Sequence, residues 1–167
     1  MRQTGLQRRC NLVSYTEETD ERMSANSRLT VAVHVLTWMV LDRREGHEVA
    51  TSERIAGSVN TNPVVIRRCL GDLRKAGLVE ARRGTGAGWV VTRDPESITL
   101  LDVYEALDEG GLFGMHNAQP NQSCPVGFGI QPTLRQVYDG LEDAMRKQLA
   151  GTTIADVLRD VLAQQRE

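Results

Sequence analysis

The feature that most constrains this chain is the punctuation of residues 60–77. Asn62 precedes Pro63, and apolar Ile66, Cys69, Leu70 and Leu73 then recur at steps of three and four as far as Ala76, with Gly77 beyond. An Asn side chain accepts an orphan N–H at a helix start, and Pro in the first turn has no N–H to lose. The spacing predicts a helix with one buried stripe, leaving Val64, Arg67, Arg68, Gly71, Arg74 and Lys75 on the outward side. A shorter helix is expected before it, burying Ile55, Ala56 and Val59, with Thr51 or Ser52 as its cap and Asn60-Thr61 as the turn. After Gly77, Leu78 to Arg83 and Trp89 to Thr92 read as two strands joined by Gly84-Thr85-Gly86-Ala87-Gly88. Helix, turn, helix and glycine-turned hairpin amount to a winged helix-turn-helix over about Val49 to Arg93.

The flanking segments complete a mainly α fold with one small β-hairpin. Residues 1–22 lack periodicity and are expected to be a flexible arm or an upstream extension. A Ser27 cap followed by Leu29, Ala32, Val33, Leu36, Met39 and Val40 predicts a first helix ending near Arg43 to Gly46. Leu100, Val103, Tyr104 and Leu107 predict another, closing a domain over residues 23–107. Residues 108–131, rich in Gly, Pro, Asn and Gln, read as a long loop, a length that is uncommon unless functional. After Pro132, Leu134, Val137, Tyr138, Leu141, Met145 and Leu149 mark a long helix needing more than one partner surface, followed by a last helix capped by Thr152 or Thr153.

Charge distribution narrows the function. The net charge of -2 hides eight basic against three acidic groups in residues 49–93, and five against twelve in residues 94–167. Potentials act over about 8–10 Å at ordinary ionic strength, so the middle segment is the one suited to a polyanion. An α-helix fits the major groove of B-DNA. Thr61, Asn62, Val64, Val65, Arg67 and Arg68 occupy its leading end here, with Thr51 and Asn60 close by. Arg67 or Arg68 suits bidentate binding of guanine, and a valine suits a thymine methyl. Arg74, Lys75, Arg82 and Arg83 suit phosphates, and Thr85 at the glycine-rich tip suits the minor groove. Double-stranded DNA is the expected partner; the rival is a winged-helix protein-interaction module, which salt dependence would tell apart.

Other classes fit poorly. No run reaches the ~18–20 apolar residues of a membrane span, and no apolar stretch follows the early arginines, so a cytoplasmic protein without a membrane partner is expected. The glycine tip lacks a following Lys-Ser/Thr and a helix, so it is no phosphate loop. No nucleophile, acid and base spacing suggests an enzyme. Cys10, Cys69 and Cys124 match neither a disulfide framework nor a paired zinc site, and His116 with one Cys leaves too few ligands for a metal.

The segments Leu73-Arg74-Lys75-Ala76-Gly77-Leu78-Val79, Arg83-Gly84 with Trp89, Ile98-Thr99-Leu100, and Thr153-Ile154-Ala155-Asp156-Val157-Leu158 occur in the order and spacing of one family. In them the chain resembles the Rrf2 family of winged-helix regulators, the IscR-, NsrR- and CymR-type proteins, over about Met23 to Leu162. The resemblance implies a homodimer joined by the long helix through Leu134, Val137, Tyr138, Leu141, Met145 and Leu149. It further implies a transcriptional regulator, usually a repressor, on a pseudo-palindromic operator, with residues 132–167 as dimerisation helices. Iron–sulfur members carry three cysteines in the loop before that helix; only Cys124 is present here, so no cofactor is expected and the cluster-free branch is indicated. Cluster-free relatives that answer to oxidants or electrophiles make Cys124 a candidate sensor, against the alternative of an unreactive loop thiol. A small-molecule inducer is the other expected signal.

Overall fold

The computed structural model describes residues 25–84, 86–107 and 113–165. Helices α1 (Ala25–Arg44), α2 (Ser52–Val59) and α3 (Pro63–Lys75) lead into an antiparallel hairpin of β1 (Val79–Arg82) and β2 (Gly88–Val91). A 3-10 turn at Pro95–Ser97 then precedes α4 (Leu100–Ala106), α5 (Pro125–Ala150) and α6 (Ile154–Gln164). The hairpin pairs Val79 with Val91 and Arg82 with Gly88. Gly84 and Gly86 turn the tip at φ of 88° and 80°, which a side-chain-bearing residue adopts only with strain. Ala50 adds a two-hydrogen-bond bridge to Trp89, widening the sheet by one residue. Among the described residues, no helix is long and apolar enough to cross a membrane.

One core holds the winged unit together. Val35 and Leu36 of α1, Ile55 of α2, Ile66, Leu70 and Leu73 of α3, Val79 of β1 and Val103 of α4 are all at most 1% exposed. The expected stripe of α3 is therefore the buried one, and Cys69 within it is a packing residue whose thiol is pushed up to about 12, first by burial and then by Asp72.

Three expectations give way. Ser27 does not cap α1, which already includes it; the helix begins at Ala25. The long helix begins at Pro125 rather than after Pro132, so Pro132 sits inside α5 and the expected loop loses its last seven residues. Pro125 supplies the first-turn proline, and the turn Asn121 to Cys124 folds against that end: the Cys124 N–H donates to the Asn121 carbonyl at 3.2 Å, and the Phe128 N–H to the Cys124 carbonyl at 2.9 Å. Gly127 permits this, because a Cβ there would collide with the Asn121 carbonyl oxygen. Finally, the winged unit does not close at Leu107, because α6 packs into it. Ile154 and Leu158 are buried in the winged core, the Ile154 N–H donates to the Ile98 carbonyl at 2.9 Å, and the Leu100 N–H to the Thr152 carbonyl at 2.9 Å. α4 and α6 also share a design: Thr99 and Thr153 cap them, each in a reciprocal capping box with Asp102 and Asp156.

Candidate nucleic-acid interface

The α2–turn–α3 unit is set by its caps. Thr51, of the two candidates, caps α2, its hydroxyl accepting the Arg54 N–H at 3.3 Å, while Ser52 is buried. Asn60 takes the left-handed conformation at φ 58° and ψ 53°, with its N–H on the Ala56 carbonyl; the Thr61 N–H reaches the same carbonyl at 3.1 Å. That reverses the chain. The Asn62 side chain then accepts the Val64 N–H at 2.8 Å and starts α3 with Pro63 in its first turn.

This aims the leading end of α3 outward. Val64 is 52% exposed, large for an apolar side chain, and Asn62, Arg67 and Arg68 are exposed with it. Thr61 and Val65 are half-buried, and the half-buried Thr51 is occupied by its capping role, so these three offer less to a ligand than their positions suggested. Arg74 and Lys75 lie exposed at the far end of α3, and Arg82 and Arg83 along the hairpin. Thr85 lies outside the described residues, as does Cys10.

Ion pairs sort the basic residues in a way that counting them does not. Arg54, though exposed, is engaged within the chain: it binds buried Asp42, lies 5.2 Å from the Trp38 ring centroid and ties α1 to α2. Arg93 donates to the Ser97 carbonyl at 2.6 Å and approaches Asp102 at 3.6 Å. Lys75 pairs with Asp72 at 2.8 Å, Arg82 with Glu80 at 4.0 Å and Arg67 with Glu53 at 3.8 Å. Among the described basic residues of segment 49–93, Arg68, Arg74 and Arg83 stand outside these pairs. Sequence reasoning missed Asp42 and Glu53; Asp42 directly follows the apolar run of α1, which could have marked it as a buried acid needing a cation. A cleft of ≈ 580 Å³ lies between residues 43–48 and the outer side of the hairpin, lined by Arg43, His47, Glu80, Arg82 and Val90 among others.

The second region is α5. Val137 and Leu141 are 52% and 48% exposed, and Leu134, Met145 and Leu149 are half-buried along the same helix. Tyr138 is covered in part within the chain, stacked on Phe113 with ring centroids 4.6 Å apart. Arg146 fastens α5 to the winged unit, meeting Glu105 of α4 at 2.7 Å and Glu142 at 3.2 Å, above the Tyr104 ring. Cys124, fully exposed, occupies the N-cap position of α5, where the amides of Gly127 and then Val126 hold its thiol below the ordinary range.

A capped recognition helix, a preceding helix locked to it and a basic glycine-turned wing define a winged helix-turn-helix DNA-binding protein. The match to known families makes the assignment narrower: residues 25–160 fit the Rrf2 model, described as an iron-dependent transcriptional regulator, and the chain belongs to that family. It is similar to YwnA of Bacillus subtilis (strain 168), named as an HTH-type transcriptional regulator, with 42% identity over 80% of this chain and 96% of that one. The HTH-type transcriptional regulator IscR of Cereibacter sphaeroides is 25% identical over 83% of this chain and 88% of its own. A crystal structure named as that of a DNA-binding protein superposes with a TM-score of 0.62 at 38% identity, covering 79% of this chain and 99% of that one. The chain is thus a DNA-binding transcriptional regulator rather than an enzyme, and its partner is DNA.

The iron in the family's description meets a poor donor set here. Among the described residues the thiols are Cys124 and Cys69, and Cys69 is sealed in the core of α3, so a thiolate-held cluster does not fit. Asp42, Glu45 and His47 bring ligand atoms within 4.8 Å of one another, but Asp42 is already engaged by Arg54 and by His47 Nδ1 at 3.0 Å.

Proposed function

We propose that the protein is a cytoplasmic homodimeric repressor whose two α3 helices and wings grip a pseudo-palindromic operator. The observation that carries the reading is the leading end of α3, where Asn62 fixes the helix start and Val64, Arg67 and Arg68 project outward together. In it Arg67 or Arg68 reads guanine, Val64 contacts a thymine methyl, and Arg74, Lys75, Arg82 and Arg83 hold phosphates. The half-exposed stripe of Leu134, Val137, Leu141, Met145 and Leu149 supports α5 as the seam between protomers, with Tyr138 at its edge. Two-fold pairing would place the recognition helices about 34–36 Å apart, one turn of DNA. The chain then divides into a winged unit including α6, a sensing segment ending at Cys124, and the α5 seam.

Release is assigned to Cys124 or to a small ligand beside α5. The exposed thiolate attacks the O–O bond of a peroxide, forming S–OH on sulfur and expelling hydroxide. A tenfold loss of operator affinity needs ~1.4 kcal/mol of differential binding between the two states. The test is selection of operators from random duplexes, followed by binding of the intact chain and of Cys124→Ser before and after hydrogen peroxide. A wild-type response that the variant lacks supports the thiol; equal responses remove it. A selected motif without two-fold symmetry removes the dimer reading.

A further inference from the structure

Three acids fall within the basic segment 49–93, and they are placed differently. Asp72 pairs with Lys75 three residues on and with Arg28 of α1 at 3.1 Å, while Glu80 pairs with Arg82 two residues on within β1. Glu53 is the one that crosses between the two helices of the helix-turn-helix, from the first turn of α2 to Arg67 of α3, at 3.8 Å. Both partners stay more than half exposed, at 65% and 55% of their side chains. A carboxylate on this outward side repels phosphates, so its presence opposes affinity. Arg68, next to Arg67 on the same helix, is in no such pair.

We propose that Glu53 is a positioning residue for sequence discrimination: it holds the Arg67 guanidinium across the α2–α3 gap so that its N–H groups face a base edge instead of swinging to a phosphate. This rests on α3 entering the major groove with Arg67 as a base reader. A guanidinium has five donors in a fixed fork, and a carboxylate 3.8 Å from its Nη1 orients that fork by charge, leaving all five donors open to a ligand. When docking excludes water, the pair strengthens, because its charges are no longer screened. The arrangement exchanges general affinity for selectivity, and Arg68, without a partner acid, is the arginine left for sequence-independent attraction.

The test uses the full chain on its selected operator and on variants with each base pair replaced in turn. Glu53→Gln is expected to bind unrelated duplex more tightly at low salt and to lose about two- to fivefold of discrimination, at one base-pair position per half-site, the same one blunted by Arg67→Ala. Adding Glu53→Gln to Arg67→Ala should change discrimination there no further. A purely structural role for Glu53 would lower affinity at every position together, with a lower melting temperature, and that result overturns the proposal. So does additivity of the two substitutions. If Arg67→Ala itself leaves every position unchanged, the assignment of Arg67 as a base reader fails first and this inference with it; if only Glu53→Gln is silent, the base reading stands and the inference alone is lost.

Discussion

Asn62 separates folding from binding, because its side chain caps α3 while lying on the exposed side that the proposed function turns to DNA. The bond from the Val64 N–H to Asn62 Oδ1 is 2.8 Å long and exposed. Removing such a cap costs about 1 kcal/mol, which for a chain of this size lowers the melting temperature by roughly 2–4 °C. Asn62→Ala should show that loss. Were all of it to fall on the DNA-bound conformation, operator affinity would drop by about fivefold and no more. Asn62→Asp behaves oppositely in the two assays. Aspartate caps as well as asparagine and is favoured by the positive helix end, so the melting temperature should hold or rise. Its new charge, on the same side as Arg67 and Arg68, should weaken DNA binding most at low salt. Calorimetric melting and fluorescence anisotropy on a labelled operator read the two quantities. If Asn62→Asp bound as tightly as the wild type, α3 would not meet DNA by its leading end; if the two substitutions lowered stability equally, the cap would not matter.

Leu73→Ala, at a fully buried side chain of α3, should cost ~2–5 kcal/mol in urea unfolding, far more than any substitution on the outward side. Asp156, whose carboxyl is held at about 2 chiefly by the Thr153 hydroxyl and N–H and also by Arg159, contributes stability above the ordinary carboxylate range and loses it as pH falls from about 4 towards 2. The stability gap between the wild type and Asp156→Asn, followed by urea midpoints, should therefore close over that interval. Gly127→Ala forces Asn121 away from the first turn of α5, so Cys124 should lose its enhanced acidity and alkylate more slowly with iodoacetamide near neutral pH. An unchanged rate would mean that the turn does not set the thiol's reactivity.

Local rules made the DNA-reading unit legible in the sequence. Asn62-Pro63, the stripe Ile66, Cys69, Leu70 and Leu73, and the glycine tip each act within a few residues, through a cap, a helical period or a backbone angle, and each reappears in place. The same rules stumbled where a residue had two plausible uses. Ser27 resembles a cap but falls inside α1, and Pro132 resembles a helix start although Pro125 fills that role seven residues earlier. Pro132 stands two turns inside α5, and Thr133 Oγ1 donates to the Gly129 carbonyl at 2.8 Å in the turn around it.

What the amino-acid order could decide alone was which segments become helix or hairpin and which side of each is apolar, since those follow from neighbours along the chain. Only the assembled structure decided that α6 returns to the winged core beside Ile98, that Arg54 pairs with buried Asp42, and that Glu53 comes within 3.8 Å of Arg67. Those outcomes depend on which charges and apolar faces meet across distances that sequence separation does not encode, and a charge gains or loses its use to a ligand according to the partner it finds there.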